Sequence, residues 1–497
     1  MSATPTYDGL CAHWQRLHRF EHALCFVDLD RNTHMPPGGN AARGAALAEL
    51  QSHIHALTTQ PDLGPRLQTA QAEPLDEAAQ ANWREMHRAW FDANALPATL
   101  VERRAGAAAR CEHAWRTQRA ANDWAGFLGN FREIVAIARE EAQYLADAQG
   151  LSRYDALLER FEPGMRAVRL DALFGELQSW LPAMVTQAVA RQAAAPAIDP
   201  VGPFPLAAQR ALGLDLMALL GFDLDAGRLD VSAHPFCGGV PEDVRITTRY
   251  NEADALSSVM SVIHETGHAR YEQNLPRALL GLPVARARSA ALHESQSLAF
   301  EMQLARSPGF VHLLAPLLRR HLGDQPAFAD ANLLRLLQRV APGLIRVEAD
   351  ELTYPLHVIL RYEIERALIE GEIEADDVPA WWSGRMRDWL GLDTRSDFRN
   401  GCLQDVHWSE GLFGYFPSYT LGAMYAAQWF AALRRALPDL DDRVAAGELA
   451  PVFDWLRENI WAQGSRWTTD ELCVRAIGSP LDAAHFRAHL ENRYLGA

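Results

Sequence analysis

Residues 261–269 read Ser-Val-Ile-His-Glu-Thr-Gly-His-Ala, a stretch that contains the pattern His-Glu-x-x-His. Apolar residues before and within it recur at three- and four-residue spacing, namely Leu256, Val259, Met260 and Ile263. This spacing predicts one amphipathic helix. On that helix His264 and His268 lie one turn apart on the same face, so both imidazoles can bind a single metal ion. Glu265 is rotated to the side, where it can contact a water molecule on the metal without being a ligand.

The expected ends of this helix fit the same interpretation. Asn251 can cap its start, and Pro276 lies just beyond a plausible end. The alternative is that His264 and His268 are ordinary helix residues whose hydrogen bonds are satisfied elsewhere. Because the chain has 18 histidines among 497 residues, an accidental match is uncommon. A zinc site is therefore the favoured interpretation.

Composition excludes several classes of partner. The formal net charge is −16, and all 47 basic residues are arginine. Nucleic acids and anionic membranes are not expected as partners because both need a cationic surface. No run of about 18 apolar residues occurs, so no membrane-spanning segment is expected. The six cysteines are scattered without a Cys-x-x-Cys pair, and the N-terminus has no signal-peptide pattern, so we expect a cytoplasmic protein.

The sequence predicts a mainly α fold in which two lobes form one continuous catalytic domain. Residues 1–205 are rich in Ala, Leu, Arg and Glu and are expected to be a helical scaffold or lid. They end in a Pro-rich linker at 193–205. Residues 206–497 contain the His-Glu-x-x-His helix and form the expected catalytic region. Further helices are expected at 289–306, 332–340, 344–369, 378–390, 421–437 and 451–461.

The β signal is confined to a short region before the motif helix. Residues 228–232 and 244–249 alternate and carry β-branched side chains, and a Gly-rich segment at 235–241 separates them. We expect these two strands to form a small sheet at the edge of a substrate groove.

An aromatic, Gly-rich loop from Gly401 to Gly422 is the other unusual feature. It carries polar and aromatic side chains suited to contacting a substrate, among them Gln404, His407, Tyr415 and Tyr419. Loops of this kind commonly line sites. The alternative is a buried aromatic plug.

A catalytic zinc site needs a third protein ligand and one open position. The extended motif His-Glu-x-x-His-x-x-Gly-x-x-His is excluded, because Tyr271 and Asn274 stand where it requires Gly and His. A carboxylate from the next helix is the other source, and Glu294 is the favoured ligand. The adjacent His293 is chemically competent, but neighbouring helix positions point about 100° apart, so one of the two is expected to bind. His293 is then expected beside a ligand or facing substrate.

These residues define a reaction class. Zinc would acidify a water molecule and polarise a carbonyl oxygen. Glu265 would accept the water's proton and deliver it to the departing amine. A Tyr or His from the 401–422 loop could donate to the developing oxyanion. Peptide hydrolysis is the leading prediction, although the spacing does not tell internal from terminal cleavage.

Six short blocks between His234 and Trp408 stand out together. They are His-Pro-Phe at 234–236, Asp-Val-Arg-Ile-Thr at 243–247, His-Glu-Thr-Gly-His at 264–268, His-Glu-Ser-Gln at 293–296, Ile-Arg-Val-Glu-Ala-Asp at 345–350 and Gly-Cys-Leu-Gln-Asp-Val-His-Trp at 401–408. In this order and spacing they resemble the M32 metallocarboxypeptidases, the thermostable carboxypeptidase Taq family. Any single block is weak, whereas six in order are specific.

The resemblance implies a saddle-like helical fold with a deep groove, usually dimeric. It also implies zinc-dependent release of single C-terminal residues with broad specificity from peptides with a free C-terminal carboxylate, and cobalt as a substitute metal. By matched position, Glu294 is the third ligand, Glu265 the general base and Arg346 the clamp for the terminal carboxylate. A guanidinium suits that role because it binds a carboxylate through two parallel hydrogen bonds. The alternative for Arg346 is a salt bridge with Glu348 or Asp350.

The remaining matched positions are expected near the substrate. His407 and Tyr419 are candidates for oxyanion and substrate contacts, with Tyr415 as a further candidate. Three residues are expected to shape the groove near the metal: His234, Asp243 and Arg245.

Two rival functions stay open at this point. A helical zinc endo-oligopeptidase shares the metal chemistry but needs no carboxylate clamp. A helical interaction scaffold with a structural metal would have no role for Glu265 and would bind zinc through four protein ligands.

Overall fold

Helices dominate the structure, which is a computed structural model describing residues 2–496. The described residues form twenty α-helices: α1 Pro5–Thr33, α2 Asn40–Thr58, α3 Leu63–Gln71, α4 Glu77–Asn94, α5 Ala98–Ala120, α6 Trp124–Gln149, α7 Arg153–Leu158, α8 Ala167–Gln192, α9 Leu206–Leu219, α10 Ala255–Gln273, α11 Ala290–Leu298, α12 Pro308–Leu322, α13 Asp330–Leu337, α14 Tyr354–Glu370, α15 Val378–Leu390, α16 Pro417–Ala436, α17 Leu440–Ala445, α18 Ala450–Asn459, α19 Thr469–Ile477 and α20 Ala483–Leu490. The predicted mainly α fold is confirmed.

The motif helix α10 begins later than its sequence suggested. Asp254 is its N-cap, and the carboxylate accepts a hydrogen bond from the backbone N–H of Ser257 at 3.2 Å. The prediction that Asn251 caps the helix is wrong. The Asn251 side chain instead accepts from the N–H of Ala253 at 2.9 Å, closing a turn just before the helix. Both residue types satisfy free N–H groups well, so local sequence does not separate them.

Two other helical segments differ from the prediction. The segment expected as one helix at 289–306 is α11 followed by a π-helical segment, Ala299–Ala305. The helix expected at 344–369 begins only at Tyr354, because the Asp350 carboxylate accepts from the N–H groups of Leu352 and Thr353 and holds a turn there. Pro355, which has no N–H to donate, then occupies the first turn of α14.

The small sheet has three strands rather than the two expected. They are β1 Gly227–Val231, β2 Cys237–Val240 and β3 Asp243–Thr248, in the order β1-β3-β2. The β1 strand pairs parallel to β3, and β2 pairs antiparallel to it. The extra strand, β2, lies inside the Gly-rich segment, where two adjacent glycines hide the strand pattern.

The sheet packs against α9 and α10 through a compact apolar cluster. Leu229 and Ile246 lie opposite each other on β1 and β3, and both are buried. They belong to one cluster with Val262 of α10 and Met217 of α9. This packing fixes the rotation of α10, so its histidine face is directed away from the sheet core.

A second, larger core joins the two predicted lobes. It includes Leu100 and Phe131 from the N-terminal region and Leu292 and Tyr425 from the catalytic region. Side chains on both sides of residue 205 therefore share one apolar interior. The lobe boundary itself stays a prediction. None of the helices within residues 2–496 combines the length and apolar character needed to cross a bilayer.

Candidate metal centre

The structure brings the two motif histidines and Glu294 into one cluster. His264 and His268 lie on α10 and Glu294 lies on α11, and one ligand atom from each falls within 4.8 Å of the others. The Nε2 atom of His268 is 3.6 Å from Oε2 of Glu294. Within residues 2–496 this is the one His, Cys, Asp and Glu group with such spacing. Two imidazoles and a carboxylate with an open fourth position form a typical catalytic zinc set, so the donors present fit a divalent cation.

Two glycines allow the helices that carry these ligands to approach closely. A Cβ atom on Gly267 of α10 would lie 2.5 Å from the carbonyl oxygen of Gln296 and 2.6 Å from Cα of Ser297, both on α11. A Cβ atom on Gly422 of α16 would lie 2.7 Å from Cγ of Glu294. Helix α11 is therefore held between α10 and α16 at distances that only glycine permits.

We expect Gly267→Ala to damage both stability and metal binding. The added methyl group meets backbone atoms of α11, which cannot rotate away, so the two helices must separate. Overpacking of this kind costs about 1–3 kcal/mol or more. Urea denaturation should report a lower midpoint, and metal titration should report weaker binding.

Gly384→Ala is the matched control for this prediction. Gly384 also lies inside a helix, α15, but a Cβ atom there meets nothing within 4 Å. The same substitution should stabilise the protein by up to about 1 kcal/mol, because alanine loses less backbone freedom on folding. Equal effects of the two substitutions would contradict the proposed close approach of α10 and α11.

Glu301 contacts Nδ1 of His264 and so orients the ring, while Nε2 on the other side of the ring stays free of this contact. Nδ1 of His264 lies 2.9 Å from Oε2 of Glu301, and Glu301 also accepts from Arg306 at 2.9 Å. A proton on Nδ1 is donated to this carboxylate, which leaves Nε2 available to a metal ion. Such carboxylate–histidine pairs fix the tautomer and ring orientation of metal ligands.

His293 contacts Nδ1 of His268, as Glu301 contacts Nδ1 of His264. Its Nδ1 lies 2.6 Å from Nδ1 of His268, and its Nε2 lies 2.8 Å from Oε1 of Glu272. The chain Glu272–His293–His268 leaves Nε2 of His268 directed to Glu294. His293 therefore lies beside a ligand, which is one of the two places expected for it.

The cluster is short of positive charge. Burial raises the pKa of Glu265 to about 7 and also raises the pKa of Glu294. Burial lowers the pKa of His264, but the bond to Glu301 and the nearby carboxylates outweigh it and raise that pKa to about 10. A divalent cation would stabilise the charged forms of both Glu265 and Glu294.

A cavity of about 680 Å³ opens onto this cluster. Its lining includes seven of the residues predicted to form the site: His264, Glu265, His268, His293, Glu294, Tyr415 and Tyr419. Pro235, Phe236 and Cys237, at the start of β2, line another part of it. The expectation that the sheet borders the groove is met by β2.

Arg346 lies behind Tyr419, outside the cavity lining, and its side chain is 6% exposed. Its guanidinium carbon is 5.0 Å from the centre of the Tyr419 ring. Its Nε and Nη2 contact Oδ1 of Asp405 at 3.0 and 2.9 Å, and Nη1 donates to the Tyr354 hydroxyl at 3.0 Å. The charge of Asp405 outweighs burial and raises the pKa of Arg346. The alternative partners Glu348 and Asp350 form no ion pair with it within the described residues.

Residues 401–422, predicted as a loop, include the first turns of α16, which begins at Pro417, and they divide into a cavity-facing part and a supporting part. Tyr415 and Tyr419 line the cavity, whereas His407 lies within 3.3 Å of the Tyr419 hydroxyl through Nε2. Burial lowers the pKa of His407 to about 4, so this imidazole is neutral near pH 7. Gln404 accepts from the N–H of Arg346 at 2.8 Å and donates to the carbonyl of Leu344 at 2.9 Å. Its side chain therefore holds the Arg346 backbone in place.

Three predicted groove residues lie outside the cavity lining. Asp243 and Arg245 pair with each other on β3, with contacts of 2.7 and 3.0 Å. Arg245 also stacks over Phe26 of α1 at 4.5 Å, so this pair anchors α1 to the sheet. The His234 side chain is exposed, directly before the cavity-lining Pro235.

Sequence reasoning assigned no role to four supporting residues: Glu272, Glu301, Arg361 and Asp405. Glu301 follows Glu294 by seven residues, which places both on one helix face, and that spacing was a usable signal. Arg361 donates to Asp405 at 2.6 Å across 44 residues of sequence. No spacing rule reveals a pair that is this far apart.

Comparisons with known proteins agree along the whole chain. The family model described as Carboxypeptidase Taq (M32) metallopeptidase matches residues 9–494. Thermostable carboxypeptidase 1 of Thermus thermophilus is 39% identical over 477 residues, covering 94% of this chain and 93% of that protein. The structure of Trypanosoma cruzi metallocarboxypeptidase 1 is similar with a TM-score of 0.97 and 48% identity, covering 99% of both chains. The M32 carboxypeptidase of Deinococcus radiodurans gives a TM-score of 0.94 at 32% identity, again covering 99% of both chains.

Proposed function

The chain belongs to the M32 metallopeptidase family and is a metallocarboxypeptidase, and from this premise we propose that it uses zinc, with Glu265 as general base, to release single C-terminal residues. The observation that carries the proposal is the arrangement of His264, His268 and Glu294 beside Glu265 in one cavity. The donor set favours zinc over magnesium or calcium, which prefer oxygen ligands.

Glu265 is placed to move a proton in this site. It is 7% exposed, lines the cavity and lies next to His264 in the chain. A bound divalent cation would lower the pKa of a water molecule and polarise a substrate carbonyl. Glu265 would accept the proton that this water loses, then deliver it to the nitrogen of the departing amine. Burial raises the pKa of this carboxyl, which suits delivery of the proton, and a bound cation would favour the ionised form that accepts it.

Tyr419 is the better candidate for the oxyanion contact, and His407 supports it. Tyr419 lines the cavity, and burial raises the pKa of its hydroxyl to about 12, so the O–H stays protonated as a donor. His407 lies behind that hydroxyl rather than in the cavity. We assign His407 the role of orienting Tyr419, with Tyr415 as a second donor on the same wall.

Arg346 is the residue that we expect to recognise the C-terminal carboxylate of the peptide, as a carboxypeptidase requires. Arg346 donates to Asp405 and Tyr354, and after these bonds Nη1 and Nη2 each keep one N–H group without an acceptor among the described residues. These groups can donate to the terminal carboxylate of a peptide that enters beside Tyr419. Asp405 and the stacked Tyr419 ring fix the guanidinium plane, so little side-chain freedom is lost on binding.

The test is mass spectrometry of an N-blocked peptide incubated with zinc-loaded protein. We expect products shortened one residue at a time from the C-terminus, and we expect the C-amidated peptide to be spared. A chelator should abolish cleavage, and zinc should restore it. Magnesium added to the chelated protein should restore little activity, because its preferred ligands are oxygen atoms.

The same experiment separates the rival functions. Internal fragments from the amidated peptide would indicate an endo-oligopeptidase and leave Arg346 with a structural role. Zinc that binds tightly without any cleavage would indicate a structural metal. From the family resemblance we also propose broad acceptance of C-terminal residues, cobalt as a substitute metal and a homodimer. Sedimentation equilibrium tests the last of these.

A further inference from the structure

Three arginines line the same cavity as the proposed metal ligands. They are Arg88 of α4, Arg160 after α7 and Arg288 just before α11, and we call them the arginine wall. Three cations in one cavity are unexpected in a chain whose net charge is −16. The proposed function uses none of them, since the clamp and the base lie elsewhere.

Two buried glutamates hold the arginine wall in place. Glu85 accepts from Nε of Arg88 at 3.1 Å and from Nη1 of Arg288 at 2.6 Å, and Arg84 donates to it at 2.9 Å. Glu141 accepts from Arg160 at 2.6 Å, and Arg104 donates to the same oxygen at 2.6 Å. Arg84 and Arg104 share these glutamates but lie outside the cavity lining.

The carboxylates do not neutralise these arginines. Five guanidiniums surround Glu85 and Glu141. Asp92 interacts electrostatically with Arg88 and Arg160, and Glu162 with Arg288, but neither acid forms an ion pair with these arginines in the described residues. The three wall arginines are therefore paired with only two carboxylates, Glu85 and Glu141, which leaves one positive charge of the wall without an acid of its own.

Each wall arginine keeps hydrogen-bond donors that have no partner among residues 2–496. Arg88 bonds Glu85 through Nε, which leaves both of its terminal nitrogens free within the described structure. Arg160 uses Nη1 alone. The side chain of Arg288 is only 4% exposed, and its buried Nε has no partner among the described residues. A buried guanidinium N–H without an acceptor is costly, so an acceptor brought by a ligand would be favourable.

We propose that the arginine wall is a subsite for an acidic side chain, Asp or Glu, of the peptide substrate. A carboxylate is the anion that a peptide carries, and guanidinium donors match its geometry. The subsite discriminates among peptides, whereas the proposed contact to Arg346 is made by every peptide with a free C-terminus. This inference rests on the proposed peptidase function and adds a substrate preference to it.

The test compares pairs of N-blocked tetrapeptides that differ only by Glu or Gln at one position. Four such pairs place the difference at each of the four positions in turn. The wild-type protein should favour Glu over Gln in kcat/KM by roughly tenfold at one position, the gain expected from a charge-assisted hydrogen bond. Added salt should reduce this ratio, since both arginines from the N-terminal region are partly exposed. The position that responds identifies the subsite.

Matched variants assign the preference to the wall. In R88Q, R160Q and the double variant the Glu/Gln ratio should fall towards one, while cleavage of the neutral peptide is retained. R84Q and R104Q remove partners of the same glutamates and should leave the ratio unchanged. R160K should keep part of it, because the charge stays while the planar fork is lost.

Three results would overturn the inference. They are the absence of a Glu preference at every position in the wild type, a ratio that survives in the double variant, and an equal loss on Glu and Gln peptides. Cleavage of the neutral peptide by the wild type reports the proposed function separately. A protein that cleaves it without any Glu preference keeps that function and loses this subsite.

Discussion

Replacing Glu265 by glutamine should reduce kcat for peptide hydrolysis by roughly a thousandfold, within the 10²- to 10⁴-fold range of general-base catalysis. Glutamine preserves the shape of the side chain, so the cavity and its packing are unchanged. It cannot accept the proton of the attacking water or return it to the amine. The measurement is single-turnover cleavage of an N-blocked peptide, with metal content determined on the same sample. We expect that content to match the wild type, since Glu265 is outside the ligand cluster.

Glu272→Gln is the matched control. Glu272 is a second glutamate of α10, and its hydrogen-bond contact is with His293 rather than with a cavity water. An amide oxygen can still accept from His293, so we expect a loss of less than about tenfold, below the roughly 10- to 100-fold that follows when such an outer contact to a metal ligand is removed. Comparable losses in the two variants, or full activity of Glu265→Gln, would remove Glu265 from the role of base.

The sequence predicted the parts of the site that depend on local spacing. His264 and His268 lie one turn apart on a helix, and both fall in the observed cluster. Glu294 was favoured because a carboxylate from the next helix could complete a zinc set, and the structure places it within reach. The two histidines come together because the helix period fixes which side chains share a face, and the role of all three residues as metal ligands stays a prediction.

Features that depend on tertiary contacts were not predictable in the same way. Strand β2 contains two adjacent glycines, so its own strand propensity is low. Its pairing with β3 stabilises it as a strand. Arg346 was expected to pair, if at all, with nearby Glu348 or Asp350, whereas its observed partner is Asp405, 59 residues away. Glu85 and Arg288 are 203 residues apart. Such pairs depend on how the helices pack against each other. A periodic pattern in a single sequence does not reveal that packing.

Arg346→Met should reduce kcat/KM on peptides with a free C-terminus by about 10²- to 10³-fold, the usual cost of removing one partner from a hydrogen-bonded charge pair. Methionine fills much of the space beside Tyr419 but offers no donor to a carboxylate. Asp405 keeps its contact with Arg361 at 2.6 Å, so the variant is not left with an unpaired buried acid. The diagnostic measurement is the ratio of kcat/KM for the free acid to that for the amide, which should collapse towards one. Arg346→Lys should recover part of the ratio through its charge.

Arg361→Met tests whether this loss is specific to the clamp. Arg361 contacts the same Asp405, but it is fully buried and stacks over Trp382 at 4.4 Å. Its replacement should lower the midpoint of thermal unfolding while the acid-to-amide ratio is retained. A ratio retained in Arg346→Met would mean that the terminal carboxylate is bound by other cations. The arginine wall carries the free guanidinium donors of the same cavity, so a uniform loss in R88Q and R160Q would then assign that carboxylate to the wall.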